Sequence, residues 1–511
     1  MDKTPQIEVP ETKITKKSYK KTYIIAGTVL ILMLSSLILF KYYWPSTTMP
    51  IIDEKEDQIT IFTHGSFGSV IGLINLFQVL KDNITNTTYK KTISRMRKDP
   101  QFYASQPIMQ RGLVKIEPSF DLSATSSTRF AAYPILKAYE EVDKQFLSPN
   151  TNNHFYTFGW SGLISQERRR KEAIRFYNCL SEELEKYKNK PKIRILAHSH
   201  GGNLVLNLAA INKVIKNFNN MPAILGQTIN DDEREALFLM YEQIKTLPNQ
   251  KNSTQTDGQK AFDYRPDQKD LNIDELLMFG TPIQPETETF VLSNFFKKIY
   301  NIYSEEDVVQ DMDVFSTKKN SSQRLKILES VFIPQSSPQI IQLKIMIDRE
   351  MKKNENKNEP QTFTLVTTST QQEESNQSFW GKLFSRNRFG SKKTKDPTHK
   401  EMWFVSWDKL QQNLSTPLES IPSVIFTPLF LNAIEKISNQ TNDIDINIKL
   451  TDKNLKVYVF EHQQEEQTAV HKVSMQRSVV DSIKTSLLNW IPDDTSFTKE
   501  FNIIKNYQEQ I

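Results

Sequence analysis

Apolar and polar positions change rhythm repeatedly between residues 58 and 304, and every change but the last, where 298–304 runs into Glu305-Glu-Asp307, has the same form. A short β-branched or apolar run stops at a glycine-containing turn and gives way to apolar positions at steps of three and four, the signature of a strand followed by a surface helix. The first unit is Gln58-Ile-Thr-Ile-Phe-Thr-His64-Gly65, with helical spacing over 70–80. The second runs over 153–162 and leads into 165–188, where Ala173, Tyr177, Leu180 and Leu184 share a face opposite Arg, Lys and Glu. The third is Lys192-Ile-Arg-Ile-Leu-Ala-His198, broken at Ser199 and resumed with Leu204 and Leu208. Residues 275–280 and 298–304 complete the series. Five strand-turn-helix units in succession predict an α/β fold, a mainly parallel, doubly wound sheet with helices on both faces and its chemistry at the carboxyl ends of the strands. Residues 339–347 and 362–369 supply one or two closing strands.

Between these units the pattern weakens. Residues 83–150 have helical patches and polar loops, and 217–270 hold a helix over 231–247 and a stretch rich in Asn, Gln, Lys and Asp. Residues 370–396 interleave Phe379, Trp380, Leu383, Phe384 and Phe389 with Lys and Arg. That last insertion reads equally as an amphipathic, lipid-facing lid over 379–395 or as a basic surface loop. The folded part spans 58–410 with these three insertions. Residues 411–511 form a C-terminal extension with a hairpin, 446–450 against 455–460, and no motif.

A different pattern precedes the folded part. Residues 22–40 contain no charge, and at 1.5 Å per residue they reach about 28 Å, close to the hydrocarbon thickness of a bilayer. With Lys41-Tyr-Tyr-Trp44 at its end, the segment 22–41 reads as a transmembrane anchor. A cleaved signal would have a shorter apolar run and a small-X-small site after it. Lys13, Lys16, Lys17, Lys20 and Lys21 lie in the tail 1–21 and Lys41 alone beyond the span, so the positive-inside bias keeps the N-terminus cytoplasmic. After a polar linker over 45–57, the folded domain then faces the non-cytoplasmic side.

Charge adds one exclusion. The chain carries a formal +5, of which the tail holds +3 and Lys41 one more, leaving +1 for residues 42–511 and no case for a nucleic-acid surface. The lone Cys179 falls within the helical pattern of 165–188 and reads as a packed thiol. His198-X-His200 has no third ligand at a recognisable spacing, so no metal or other cofactor is expected.

The chemistry centres on Ala197-His-Ser199-His-Gly201-Gly. A strand that breaks at Ser-X-Gly and enters a helix without a loop exposes the serine oxygen at an apex, and needs small neighbours such as Ala197 and Gly201. This resembles the nucleophile elbow of α/β-hydrolases in its lipase- and esterase-like form, with Ser199 matching the nucleophile. The resemblance covers residues 58 to about 410. It implies an oxyanion loop after His64-Gly65, with backbone donors at Ser66 or Phe67, and at His200. His64, Gly65, His198 and Gly201 are then supporting residues, and His64 is read as ordering its loop. Phe158-Gly-Trp160-Ser-Gly and its Arg-rich helix are also similar to that family, though Trp160 is given no catalytic role. Tyr303-Ser-Glu-Glu-Asp307-Val resembles the family's acid loop and makes Asp307 the match, with Glu305, Glu306, Asp311 and Asp313 competing. His399 in Pro397-Thr-His-Lys-Glu-Met-Trp403 resembles the histidine loop, and the order Ser199, Asp307, His399 is the family's. His462 and His471 also follow the acid, and His462 stays open as the base. The resemblance implies hydrolysis of an ester or lipid-like substrate. An inactive hydrolase fold serving as an anchored binding or scaffold domain is the alternative.

Overall fold

The computed structural model describes residues 55–65, 112–116, 132–146, 150–160, 162, 166–228, 230–249, 264–307, 321–330, 338–353, 363–365, 396–399, 401–403, 405, 409–410, 418, 420–435, 437, 441–462 and 468–488. The folded unit is Glu56–Ile511. Its sheet is built from β1 (Glu56–Thr63), β2 (Leu113–Ile116), β3 (Thr151–Phe158), β4 (Lys192–His198), β5 (Ile273–Phe279), β6 (Phe296–Tyr303), β7 (Gln339–Ile347), β10 (Asp443–Leu450), β11 (Asn454–Glu461) and β12 (His471–Gln476). The spatial order is β12-β11-β10-β7-β6-β5-β4-β1-β3-β2. Every pairing from β10 to β3 is parallel, and the two flanks, β10-β11-β12 and β3-β2, are antiparallel. The architecture is α/β with a mostly parallel, mixed sheet. Two short strands, β8 (Met351–Lys353) and β9 (Phe363–Leu365), pair with each other, and Thr364 of β9 adds a single antiparallel bridge to Thr468, outside the main strands. The closing strand expected over 362–369 therefore does not enter the main sheet.

The helices are α1 (Ala132–Phe146), α2 (Gln166–Leu184), α3 (His200–Lys216), α4 (Asp231–Lys245), α5 (Thr427–Ile434) and α6 (Arg477–Leu488), besides shorter turns. Strand alternation sorts them into two layers. Ile59, Ile61, Ile193, Ile195 and Ala197 face a core shared with α2, α3 and α4. Phe62, Leu196, Leu277 and Phe279 point to the other face, against α1, α5 and α6. Each fully buried aliphatic contributes about 2 kcal/mol by leaving water, so the two cores between them hold the strands of the main sheet. Helix α4 begins where Asn230 accepts the N–H groups of Asp232 and Glu233, at 2.9 and 3.1 Å.

Two features depart from the hydrophobic pattern. The charged face of α2 is partly internal, since Arg169, Glu172 and Arg175 are buried. Arg175 pairs with Glu172 at 3.0 Å and donates to Gly159 O at 2.9 Å, so the charge closes the carboxyl end of β3. The hairpin expected near 446–460 is β10–β11, and it continues the same sheet: β10 lies parallel to β7, so residues beyond 410 are part of the architecture. Among the described residues no helix is long and apolar enough to cross a membrane; the expected anchor over 22–41 lies outside them.

The chain runs from β1 outward to β3, then returns to lay β4 on the other side of β1. Crossovers on either side of that reversal leave a crevice at the carboxyl ends of β1 and β4, where open α/β sheets bind ligands. His64-Gly65 leaves β1 and Ser199 leaves β4 at that point.

Candidate functional site

Ser199 has φ 52° and ψ −132°. Such a backbone costs a non-glycine residue about 1–3 kcal/mol and persists only where its surroundings hold it. Here its N–H donates to Phe279 O at 2.8 Å, and its carbonyl accepts from Gly202 N at 3.0 Å. The helix can begin at once because Gly201 has no side chain: a Cβ there would stand 2.5 Å from His64 O. The loop after β1 lies equally close, since a Cβ on Gly65 would stand 2.6 Å from Ser199 Cβ. Strand ends β1 and β4 thus meet backbone to backbone beside the serine.

The acid and the histidine come from farther along the sheet. After β6 the chain turns, with Asp307 N donating to Ser304 O at 3.1 Å and Gln323 Nε2 to Asp307 O at 2.9 Å. Asp307 is fully buried, and its Oδ2 lies 2.8 Å from His399 Nδ1. A carboxylate acceptor there assigns the Nδ1 proton and leaves Nε2 as the basic nitrogen. Both residues pack on Gly280, which has φ 57°; a Cβ there would stand 2.6 Å from Asp307 Oδ2 and 2.9 Å from His399 Nδ1. Phe279-Gly280 is therefore the common floor, touching Ser199 on one side and the Asp307–His399 pair on the other.

The His399 loop is held by its own contacts. Thr398 N and Oγ1 both donate to Glu401 Oε2 at 3.0 Å. His198 Nε2–H donates to His399 O at 3.1 Å, while the His198 ring lies 4.5 Å from that of His399 and stacks on Trp403 at 5.3 Å. Burial, and then the neighbouring His399, hold the His198 imidazole well below its ordinary pKa. A neutral His198 can donate to that carbonyl without adding a second positive charge beside His399.

His64 is also a neutral, ordering residue. Its Nδ1–H donates to Gly65 O at 2.7 Å and its Nε2 accepts from Trp160 N at 3.2 Å. Burial pushes the imidazole down to about 3, with Arg175 adding repulsion. Trp160, given no catalytic role from the sequence, stacks on His64 and donates its indole N–H to His64 O at 2.7 Å. Arg175, which holds the preceding Gly159, had no sequence signal beyond the Arg-rich helix after Trp160.

Of the competing acids, Glu305 faces Lys344 at 3.1 Å and Arg349 at 3.6 Å, and Glu306 stays in the turn, its N–H on Ser304 Oγ. Asp311 and Asp313 lie outside the described residues, as do Ser66, Phe67 and the basic stretch 379–395. His462 is placed elsewhere, between Asp445 at 2.9 Å and Arg324 at 3.0 Å. His471 begins β12, at the sheet edge. His200 opens α3, where a backbone N–H has no acceptor within the helix. Among the described residues no group of three His, Cys, Asp or Glu side chains gathers to hold a metal ion. Cys179 is half-buried, and burial pushes its thiol pKa up, which suits packing rather than reactivity. Comparison with known proteins adds no family to this geometry: no family model, curated protein or solved structure matches the chain.

Proposed function

We propose that the chain is a membrane-anchored serine hydrolase of α/β-hydrolase type that cleaves an ester bond. The observation that carries this reading is a serine in a strained turn at the end of β4, at the sheet's reversal, sharing the Phe279-Gly280 floor with a His399 that is paired to the buried Asp307. Strain of this kind has no packing purpose for a hydroxyl; Ser199 is buried rather than exposed at the apex as the sequence suggested, and in this reading the turn presents its Oγ to a substrate that enters the site.

In this reading Ser199 Oγ forms a bond to the ester carbonyl carbon while His399 Nε2 takes its proton. The oxyanion is met by the His200 N–H and by donors at Ser66 or Phe67. The imidazolium is stabilised by Asp307 and hands its proton to the leaving alcohol oxygen as that C–O bond breaks. Water then attacks the acyl group, loses a proton to His399 and releases the acid, and the proton returns to Ser199. Neutral His64 and His198 keep positive charge off the site until His399 acquires it. Residues 22–41 anchor the chain with the N-terminus cytoplasmic, and 379–395 form a second lipid contact.

The test is labelling by a fluorophosphonate. The wild-type chain is expected to react and Ser199→Ala to stay unlabelled; equal labelling of the two sinks the assignment.

A further inference from the structure

Between the acid loop and the histidine loop lies a guanidinium that the hydrolytic scheme above does not use. Arg349 follows β7 directly after Asp348, whose φ of 52° turns the chain out of the strand. The Arg349 backbone is gripped from both sides by Asn447, a fully buried side chain on β10: Arg349 N donates to Asn447 Oδ1 at 3.0 Å, and Asn447 Nδ2 donates to Arg349 O at 3.1 Å. With its main chain clamped, the side chain reaches two loops. It makes a two-pronged ion pair with Asp396, through Nε to Oδ1 at 3.2 Å and through Nη2 to Oδ2, and stands 3.6 Å from Glu305 Oε2. Asp396 is buried, and its Oδ1 also accepts Ile347 N at 3.1 Å, so this carboxylate ties the loop to β7 as well. Asp396 precedes His399 by three residues, and Glu305 precedes Asp307 by two.

From this geometry we infer that Arg349 is a positioning residue, which bridges the loop carrying the general base to the loop carrying its acid and thereby sets the Asp307–His399 alignment. The inference rests on the hydrolase reading. Fork-on-fork pairing of guanidinium and carboxylate fixes direction as well as distance. Lys344, on β7 five residues before Arg349, lies 3.1 Å from Glu305 and 3.4 Å from Asp445 and backs the acid loop as well. Loosening the bridge leaves substrate binding alone and misaligns the proton-transfer pair. A misplacement of about an ångström costs up to roughly a hundredfold in rate.

The experiment compares full-length wild type, Arg349→Met, Arg349→Lys and Glu305→Gln on p-nitrophenyl butyrate, with active sites counted by fluorophosphonate titration so that rates refer to folded, reactive protein. For Arg349→Met the expected result is a fall of about tenfold to a hundredfold in kcat per titrated site with KM changed less than about twofold. Arg349→Lys recovers part of the loss, and Glu305→Gln, a change at a partly exposed position that leaves the core intact, loses a smaller share. A merely structural Arg349 lowers the titrated fraction or the melting temperature and leaves kcat per site unchanged in both Arg349→Met and Glu305→Gln, which overturns the inference while the hydrolase reading stands. Should Arg349→Met not fold, Glu305→Gln alone decides. Wild type that releases no more p-nitrophenol than Ser199→Ala removes the hydrolase reading and this inference together.

Discussion

His399 and His462 each face a carboxylate through Nδ1, and their surroundings separate them. His399 meets the buried Asp307 next to Gly280, with its ring against His198. His462 meets Asp445, but its other nitrogen lies 3.0 Å from Arg324, which is itself ion-paired to Asp443 at 2.6 Å. An imidazole with both nitrogens engaged in an ionic cluster has none left for a substrate. His399→Ala is therefore expected to lower turnover by roughly 10⁴-fold or more. His462→Ala should leave turnover within a few-fold and lower stability by about 1–2 kcal/mol, the usual cost of removing one partner from a hydrogen-bonded pair. Steady-state rates and urea midpoints for the two variants check this, and the opposite pattern would move the general base to His462. The residue types at the site were legible in the sequence because Ser-X-Gly and Tyr-Ser-X-X-Asp are short local patterns. Arg349, Asn447 and Asp396 were not, since they meet across long separations, Asp396 at 47 residues from Arg349 and Asn447 at 98 through β10 lying beside β7.

At the scale of elements, the strand-to-helix turn after β4 has no slack. Helix α3 starts at His200 and its first glycine lies under the carbonyl of His64, so the elbow and the loop leaving β1 are one packed unit. Gly201→Ala forces that carbonyl aside. The expected cost is about 1–3 kcal/mol of stability from overpacking, together with slower fluorophosphonate labelling of the protein that remains folded, because the displaced loop leads into the proposed donors Ser66 and Phe67. Thermal melts and labelling time courses measure the two effects separately; a variant that labels at the wild-type rate would show that the loop after β1 takes no part. The parallel strands were readable because each is an apolar-rich run, and β1, β3, β4 and β5 lead into glycine-containing turns. Edge strand β2 was missed, being four residues with one buried position, too short for any period to emerge. The internal charges of α2 were read as solvent-facing for a related reason: helical spacing separates apolar from polar faces, and says nothing about an arginine that turns back to cap a neighbouring strand.

For the molecule as a whole, the proposed anchor determines on which side of a membrane the site works. Five lysines in 13–21 against Lys41 alone after the apolar segment give the sign. In cells whose outer barrier is permeabilised, added protease is expected to remove the region after residue 45 and spare an N-terminal tag. Loss of the tag from outside would reverse the orientation. The sheet carries a further consequence through its order in space against its order in the chain. Strand β10 pairs with β7 from roughly a hundred residues downstream, and the side chain that grips Arg349 sits on β10. When His399 has just been synthesised, the proposed serine, acid and base all exist, yet one wall behind them has still to be made. The last fifth of the polypeptide thus acts as a keystone, and a growing or prematurely ended chain holds Ser199, Asp307 and His399 in a frame that has not closed.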